Sequence, residues 1–371
     1  MKRTLAVLII ALSVVILLSN DLLEDKSYRI INADKVVLNK SGEKYILNMN
    51  GNVNFFYGQI EFFCDKGTIV ELTETAKLFG NVVVKKDTLS IHSDYAFYDN
   101  LQETVFFSGK VIAYEYGSHN ELKREFQADT LTYNRKLEQI EAIHKVVANE
   151  YKENIIANAG YMEYNRNTGY GYMKNNPIIE NKKDSLLISS EKMEYFADFN
   201  KVVAMFNVHT GLPDADIYSS FLIYYNDEGK AVFTGEPRIK TDFGVGHAES
   251  FNVLFVDNQI NQIEFINECR LDFSFEETEE YTNWMTAERI DIFFEDKKPN
   301  LMVAENNVVY EIITEEEKTK SKEYSRNNST SRHLEITFTE DNRIEEIRQD
   351  GNINGSYVFK SAKRGTKKIK E

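Results

Sequence analysis

The chain has 371 residues and carries 59 acidic against 44 basic side chains, a formal net charge of −15. Such a surface repels polyanions, which excludes a general nucleic-acid binder, while 42% hydrophobic residues are enough for a large core and exclude wholesale disorder. With 21 Tyr and 24 Phe but 4 Pro, the composition favours pleated, half-buried strands.

The chain opens on Lys2 and Arg3, an apolar run from Leu5 to Leu18, and an abrupt acidic exit through Asp21, Glu24 and Asp25. This is the pattern of one N-terminal apolar helix, over residues 1–22, that directs export of the remainder of the chain. The run is short for a full span and its cleavage context is poor. Both a signal peptide and a retained inner-membrane anchor through residues 4–19 stay open, with the balance toward the anchor.

From residue 28 to 358 the sequence repeats. The segments Ile31–Asn39, Ile91–Asp99, Phe126–Asn134, Ala157–Asn165, Ile188–Phe196 and Met285–Phe293 share an order: apolar, any, small, acidic, any, apolar, any, Tyr or aliphatic. The small position is Ala33, Cys64, Ser93, Ala128, Ala159, Ser190, Ser219, Ala248 and Ala287, and the next residue is acidic in seven of these nine. A tenth, weaker copy runs through His333 to Phe338. Between copies lie G-N-V-N (51–54), G-N-V-V (80–83), G-K-V-I (109–112), N-N-V-V (306–309) and G-N-I-N (351–354). Each reads as a turn that starts a strand, so each unit is two strands. Within the second strand Ile91 and Ser93 share one face, as do Ala96 and Tyr98, but the alternation slips between them. A bulge at the acidic position accounts for the slip, with the carboxylate expected to accept from exposed backbone N–H groups.

No helical pattern separates the strands, so the fold class is all-β and antiparallel. Residues 314–332 are polar and nearly free of apolar side chains, a solvated hairpin loop or disordered insertion. Residues 359–371 form a basic tail, a frayed terminus by default.

No catalytic or metal-ligating motif is present. The six histidines are scattered, neither a nucleophile elbow nor a phosphate loop appears, and one acid per repeat is not the matched pair of a glycosidase. The reading is therefore not an enzyme, with no cofactor and no metal. Cys64 and Cys269 fall in well-separated repeats and are expected as free, buried thiols. The inner column is Tyr98, Tyr133, Met162, Tyr164, Met193, Tyr195, Leu222, Tyr224, Phe251 and Ile290.

The recurring small-Asp-x-apolar-x-Tyr strand followed by G-N-V, behind a basic-apolar N-terminus, resembles the OstA-like proteins of lipopolysaccharide transport: the LptA and LptC family and the N-terminal domain of LptD. The resemblance spans about 28–358. It implies an elongated antiparallel β-jelly roll of two facing sheets, periplasmic, with lipid A acyl chains held between the sheets by the ten residues of the inner column. It also implies lipopolysaccharide as ligand, and as partners other Lpt-type jelly rolls or copies of the chain joined end to end through edge strands. A structural or adhesive β-repeat protein without lipid cargo is the alternative from the same strands.

Overall fold

The computed structural model describes residues 28–256, 259–274, 283–318, 321–339 and 343–360. The apolar N-terminal segment, expected as a helix and an anchor, lies outside them, as does most of the basic tail. Among the described residues no helix is long and apolar enough to cross a membrane. Apart from one 3-10 turn, Ala197–Phe199, the described elements are strands.

They are β1 (Tyr28–Asn32), β2 (Lys35–Ser41), β3 (Lys44–Tyr57), β4 (Ile60–Val70), β5 (Thr75–Lys86), β6 (Leu89–Asp99), β7 (Thr104–Tyr116), β8 (Leu122–Asn134), β9 (Gln139–Glu150) and β10 (Ile155–Asn165). Then come β11 (Tyr170–Lys174), β12 (Ile178–Asn181), β13 (Leu186–Ser189), β14 (Lys192–Phe196), β15 (Lys201–Leu212), β16 (Ala215–Tyr225), β17 (Lys230–Thr234), β18 (Arg238–Thr241), β19 (Gly244–His247) and β20 (Ser250–Val256). The last are β21 (Gln259–Phe273), β22 (Asn283–Glu295), β23 (Lys298–Lys318), β24 (Ser321–Phe338), β25 (Ile344–Asp350) and β26 (Asn354–Lys360). Two compact units form: one runs to Pro213 and includes Ile223–Glu228, the other comprises Asp214–Leu222 and continues from Gly229.

From β3 to β10 each strand pairs antiparallel with the next, and each register shifts at the small-acidic step, with a second shift at Glu115/Tyr116 between β7 and β8. The shift falls where the repeats predict, between the small and the apolar positions. Opposite Asp94, β5 contributes two residues, Gly80 and Asn81, both with positive φ (73° and 46°). Such left-handed pairs recur as 51/52, 109/110, 144/145, 175/176, 206/207, 235/236, 267/268, 306/307 and 351/352.

At 51–54, 80–83, 109–112 and 306–309 the G-N-V signature is therefore not a turn between strands, as its composition suggested, but a corner inside one, whereas Gly351 and Asn352 lie between β25 and β26. β3 passes straight through Gly51 and Asn52. Two consecutive left-handed residues fold a strand sharply without ending its pairing, and Gly and Asn tolerate that conformation best.

The corners divide each unit into two layers. Layer I holds the arms that follow a left-handed pair and those that precede a small-acidic step. Layer II holds the arms on the other side. Inward residues of both layers make the core, including Phe55, Phe107, Phe126 and Tyr133 in the first unit and Phe251, Phe265 and Phe273 in the second, all almost wholly buried. Each such aromatic is worth roughly 1.5–3 kcal/mol of burial. The layers touch closely: a Cβ on Gly246 would lie 2.3 Å from the Phe265 ring of the other layer.

The acidic column acts differently from expectation. At several corners its own N–H donates to the carbonyl of the first left-handed residue, as Asp34 does to Gly51 at 2.9 Å and Glu249 to Asn267 at 3.0 Å. Its carboxylate accepts from the asparagine amide on that corner, not from backbone. Asn81 Nδ2 reaches Asp65 at 3.0 Å, Asn267 reaches Glu249 at 2.9 Å and Asn307 reaches Glu288 at 2.6 Å. Where the small residue is serine, its hydroxyl crosses the bulge to the carbonyl two residues on: Ser93 to Tyr95 at 3.0 Å, Ser190 to Lys192 at 2.9 Å, and Ser219 to Phe221 at 3.1 Å.

The polar stretch 314–332 lies on β23 and β24, which pair from Leu301↔Thr337 out to Lys318↔Ser321. The backbone ladder of this hairpin runs unbroken from Val308↔Ser331 to Lys318↔Ser321.

Candidate functional site

The inward residues of the first unit are buried between the layers, and one gap is found near its N-terminal edge. There an apolar cavity of about 40 Å³ lies between the layers. Layer I lines it with Tyr28, Phe55, Tyr57, Ile60, Phe62 and Val84, and layer II with Ala76, Leu78, Ala96, Tyr98, Val105 and Phe107. The corners fix this arrangement. On β5, Leu78 before the corner and Val82 and Val84 beyond it share one parity and all point inward, because the corner takes up two residues.

The cavity lies toward the ends of the strands away from the corners. Tyr57 precedes the β3–β4 turn, Tyr98 precedes the β6–β7 turn, and Tyr28 begins β1. Tyr28 stacks on Tyr57 with ring centroids 4.6 Å apart and tilts against Phe55 at 6.4 Å. The Tyr98 hydroxyl donates to Asn100 Oδ1 at 2.6 Å. Burial pushes the Tyr98 phenol up to about 12, with Tyr57 adding in the same direction. Partial burial of its otherwise exposed side chain raises Tyr28 as well, reinforced by Tyr57, Tyr98 and Glu74. Tyr28, Tyr57 and Tyr98 thus come together on an apolar interior. Its volume is room for about three water-sized groups.

Of the ten sequence-predicted interior residues, Tyr98 lines this cavity. The other nine, Tyr133, Met162, Tyr164, Met193, Tyr195, Leu222, Tyr224, Phe251 and Ile290, are buried in the packed core. Sequence reasoning missed Tyr28, Phe55, Tyr57, Ile60 and Phe62. The signal was there: N-F-F-Y-G-Q-I-E-F-F (54–63) is the densest aromatic stretch of the chain, and parity from Val53 puts Phe55 and Tyr57 inside.

Among the described residues β1 and β2 have no strand partner other than β3. β1 and β2 pair with β3, and Tyr28, Ile30, Val36 and Leu38 share its inward face through the registers Tyr28↔Tyr57, Ile30↔Phe55, Val36↔Met49 and Leu38↔Leu47. All four are exposed. Further along the rim of layer I, Arg124 is held between Glu115 at 3.2 Å and Glu150 at 2.7 Å. Cys64 and Cys269 are free and buried, and burial pushes each thiol up to about 12. Among the described residues no group of three or more His, Cys, Asp or Glu side chains is placed to hold a metal ion.

The family model described as LptA/(LptD N-terminal domain) LPS transport protein matches residues 64–201. That stretch carries the OstA-like lipopolysaccharide-transport domain, as the repeats suggested. No curated protein matches the chain. Among solved structures, the chain is similar to LptH, the LptA homologous periplasmic component of the conserved lipopolysaccharide transport device from Pseudomonas aeruginosa. The identity is 14% and the TM-score 0.25, over 29% of this chain and 75% of that one. With a likeness that slight, nothing is carried over from it.

Proposed function

We propose that the chain is a periplasmic lipopolysaccharide-transport protein that holds lipid A acyl chains between its two layers, as part of a bridge from the inner to the outer membrane. The observation that carries this is the apolar cavity between the layers at Tyr98, seven of whose twelve lining residues fall in the stretch that matches the transport family. Each acyl methylene moved from water into such a space gains about 0.8 kcal/mol, so a few methylenes outweigh modest repulsion between an acidic protein and a phosphorylated lipid. The cavity is smaller than an acyl chain, so binding parts the layers, starting where Tyr28 covers the mouth. Deeper contacts are with Tyr133, Met162, Tyr164, Met193, Tyr195 and Tyr224 in the first unit, and Leu222, Phe251 and Ile290 line the second unit in the same way.

On this reading residues 28–358 are one jelly roll of OstA-like repeats, and residues 4–19 hold it at the inner membrane. The edge at β1 and β2 receives the edge strand of another jelly roll or of a second copy. No catalysis is involved.

A spacer without lipid cargo is the second reading, and the tight packing of the nine deeper residues favours it. Photo-crosslinking separates the two. A photoreactive side chain at Tyr98 or Met193 gives adducts with labelled lipopolysaccharide if the layers carry lipid. Absence of adducts at both, with the protein folded, leaves the spacer.

A further inference from the structure

In layer II of the first unit β9, β10, β11 and β14 lie side by side, and their registers set the outward residues in rows. One row across the strands holds Tyr161, Lys174 and Lys192, and the next holds Glu141, Glu163, Tyr172 and Glu194. A third, beside the 166–169 turn, holds Tyr170 and Phe196. All are partly exposed. The outward face of an antiparallel sheet is ordinarily polar. This one carries four aromatic rings in contact. Tyr161 and Tyr172 have centroids 5.7 Å apart, Tyr172 and Tyr170 6.1 Å, and Tyr170 and Phe196 5.2 Å. Two like-charge pairs also stand directly opposite each other on neighbouring strands, Glu141↔Glu163 and Lys174↔Lys192, an arrangement that destabilises a sheet.

The carboxylates are short of donors. Tyr161 Oη lies 2.7 Å from Glu141 Oε1 and 2.8 Å from Glu163 Oε2, but its single proton serves one of them at a time. The Tyr172 hydroxyl donates to Glu163 Oε2 at 3.0 Å. Two phenol protons thus face a carboxylate pair with about eight acceptor positions. The cations sit over the rings: Lys174 Nζ is 3.9 Å from the Tyr161 centroid and Lys192 Nζ 5.4 Å from that of Tyr172. Lys192 gives one of its protons to Glu194 at 2.5 Å, and Tyr170 donates to the same oxygen at 3.0 Å.

An anion drawn to the lysine pair is repelled by the glutamate pair beside it, and a cation meets the reverse. An uncharged sugar suits both. Its hydroxyls donate to the carboxylates and accept from the ammonium groups, while its apolar C–H face lies on the negative faces of the tyrosine rings. With strands about 4.8 Å apart and alternate residues about 7 Å apart, the rows cover about 14 Å by 14 Å, room for about two or three linked pyranose rings.

We propose that this outer face is a binding platform for an uncharged oligosaccharide, with Tyr172 at its centre. It lies on the opposite side of layer II from the buried Met162, Tyr164, Met193 and Tyr195, so a saccharide here leaves the space between the layers untouched. The platform stands whether or not that space carries lipid.

The test titrates the full chain with cellotriose, maltotriose and tri-N-acetylchitotriose by isothermal titration calorimetry. Binding of at least one, with a Kd of about 1 mM or tighter, is expected. Tyr172→Phe keeps the ring and should hold the affinity within about threefold, whereas Tyr172→Leu keeps the bulk without the π face and should weaken it about tenfold. Glu141→Gln relieves the like-charge pair, so its unfolding midpoint should stay or rise, while replacing a charge-assisted acceptor should weaken binding about fivefold. This variant keeps the test decisive if Tyr172→Leu unfolds. No binding of any of the three sugars overturns the proposal, as does binding that Glu141→Gln and Tyr172→Leu leave unchanged. If no sugar binds and Tyr172→Leu converts a dimer to a monomer in sedimentation, the face joins two copies of the chain, which also overturns it.

Discussion

The corner motif makes a sharp demand on one glycine. At Gly80, φ is 73°, and an added Cβ would lie 2.3 Å from Asp65 Oδ2 and 3.0 Å from its Cβ. At Gly42, in the β2–β3 turn, φ is 64° and nothing lies within 4 Å of the added atom. Both Gly→Ala changes incur the left-handed strain of about 1–2 kcal/mol. Gly80→Ala must also swing Asp65 off its rotamer, about 0.5–1.5 kcal/mol, and break the Asn81–Asp65 hydrogen bond, about another 0.5–1.5 kcal/mol. We expect about 2–5 kcal/mol at Gly80 against about 1–2 kcal/mol at Gly42. Native-state hydrogen exchange of the β5 and β6 amides reads the first locally, which suits a repeat array whose unfolding is not all-or-none. In an Asp65→Ala background the Gly80→Ala cost should fall toward the Gly42→Ala level, because the obstructing carboxylate is gone and only the Cβ at 3.0 Å remains. Equal costs at the two glycines, or a Gly80→Ala cost that persists without Asp65, refute the role assigned to the acidic column.

Burial sets the other expectations. Met193→Ala, at a wholly buried site, should cost about 2–5 kcal/mol by denaturant unfolding, whereas Leu137→Ser on the exposed rim should change stability by less than about 0.5 kcal/mol. Stability should also fall in alkali. The Tyr98 phenol is raised to about 12, and Tyr28 and Tyr224 are raised further, so above the ordinary tyrosine value of about 10 the unfolded chain releases protons that the folded chain keeps. The contribution is whole below about pH 10 and is lost as pH rises toward about 12, so near-ultraviolet tyrosinate absorbance should appear together with unfolding. A smooth titration near 10 with the fold intact would contradict this. Finally, Cys64 and Cys269, each raised to about 12 by burial, should resist iodoacetamide at pH 8 in the folded protein and react once it is denatured. Rapid alkylation of the native protein counts against their burial.

Much of the architecture is local and therefore written along the chain. A side-chain period of two, a small-acidic step and a glycine-asparagine pair each act over a few residues. The amino-acid order alone thus determined antiparallel strands, a parity slip at each acidic position and the inward column from Tyr98 to Ile290. The pairing of distant segments needed the tertiary structure. Gly80 and Asn81 read as a turn until their left-handed pair is seen to face Asp65 across a continuing ladder, because turn chemistry and a mid-strand corner use the same residues. The polar hairpin of β23 and β24 is held by backbone pairing, to which side-chain polarity is a poor guide. Whether an inward aromatic fills the core or borders a gap depends on how far the facing layer stands away. That separation placed Tyr98 at a mouth with Tyr28 and Tyr57 and closed the packing around Tyr133 and Met193, a difference no single strand carries in its own sequence.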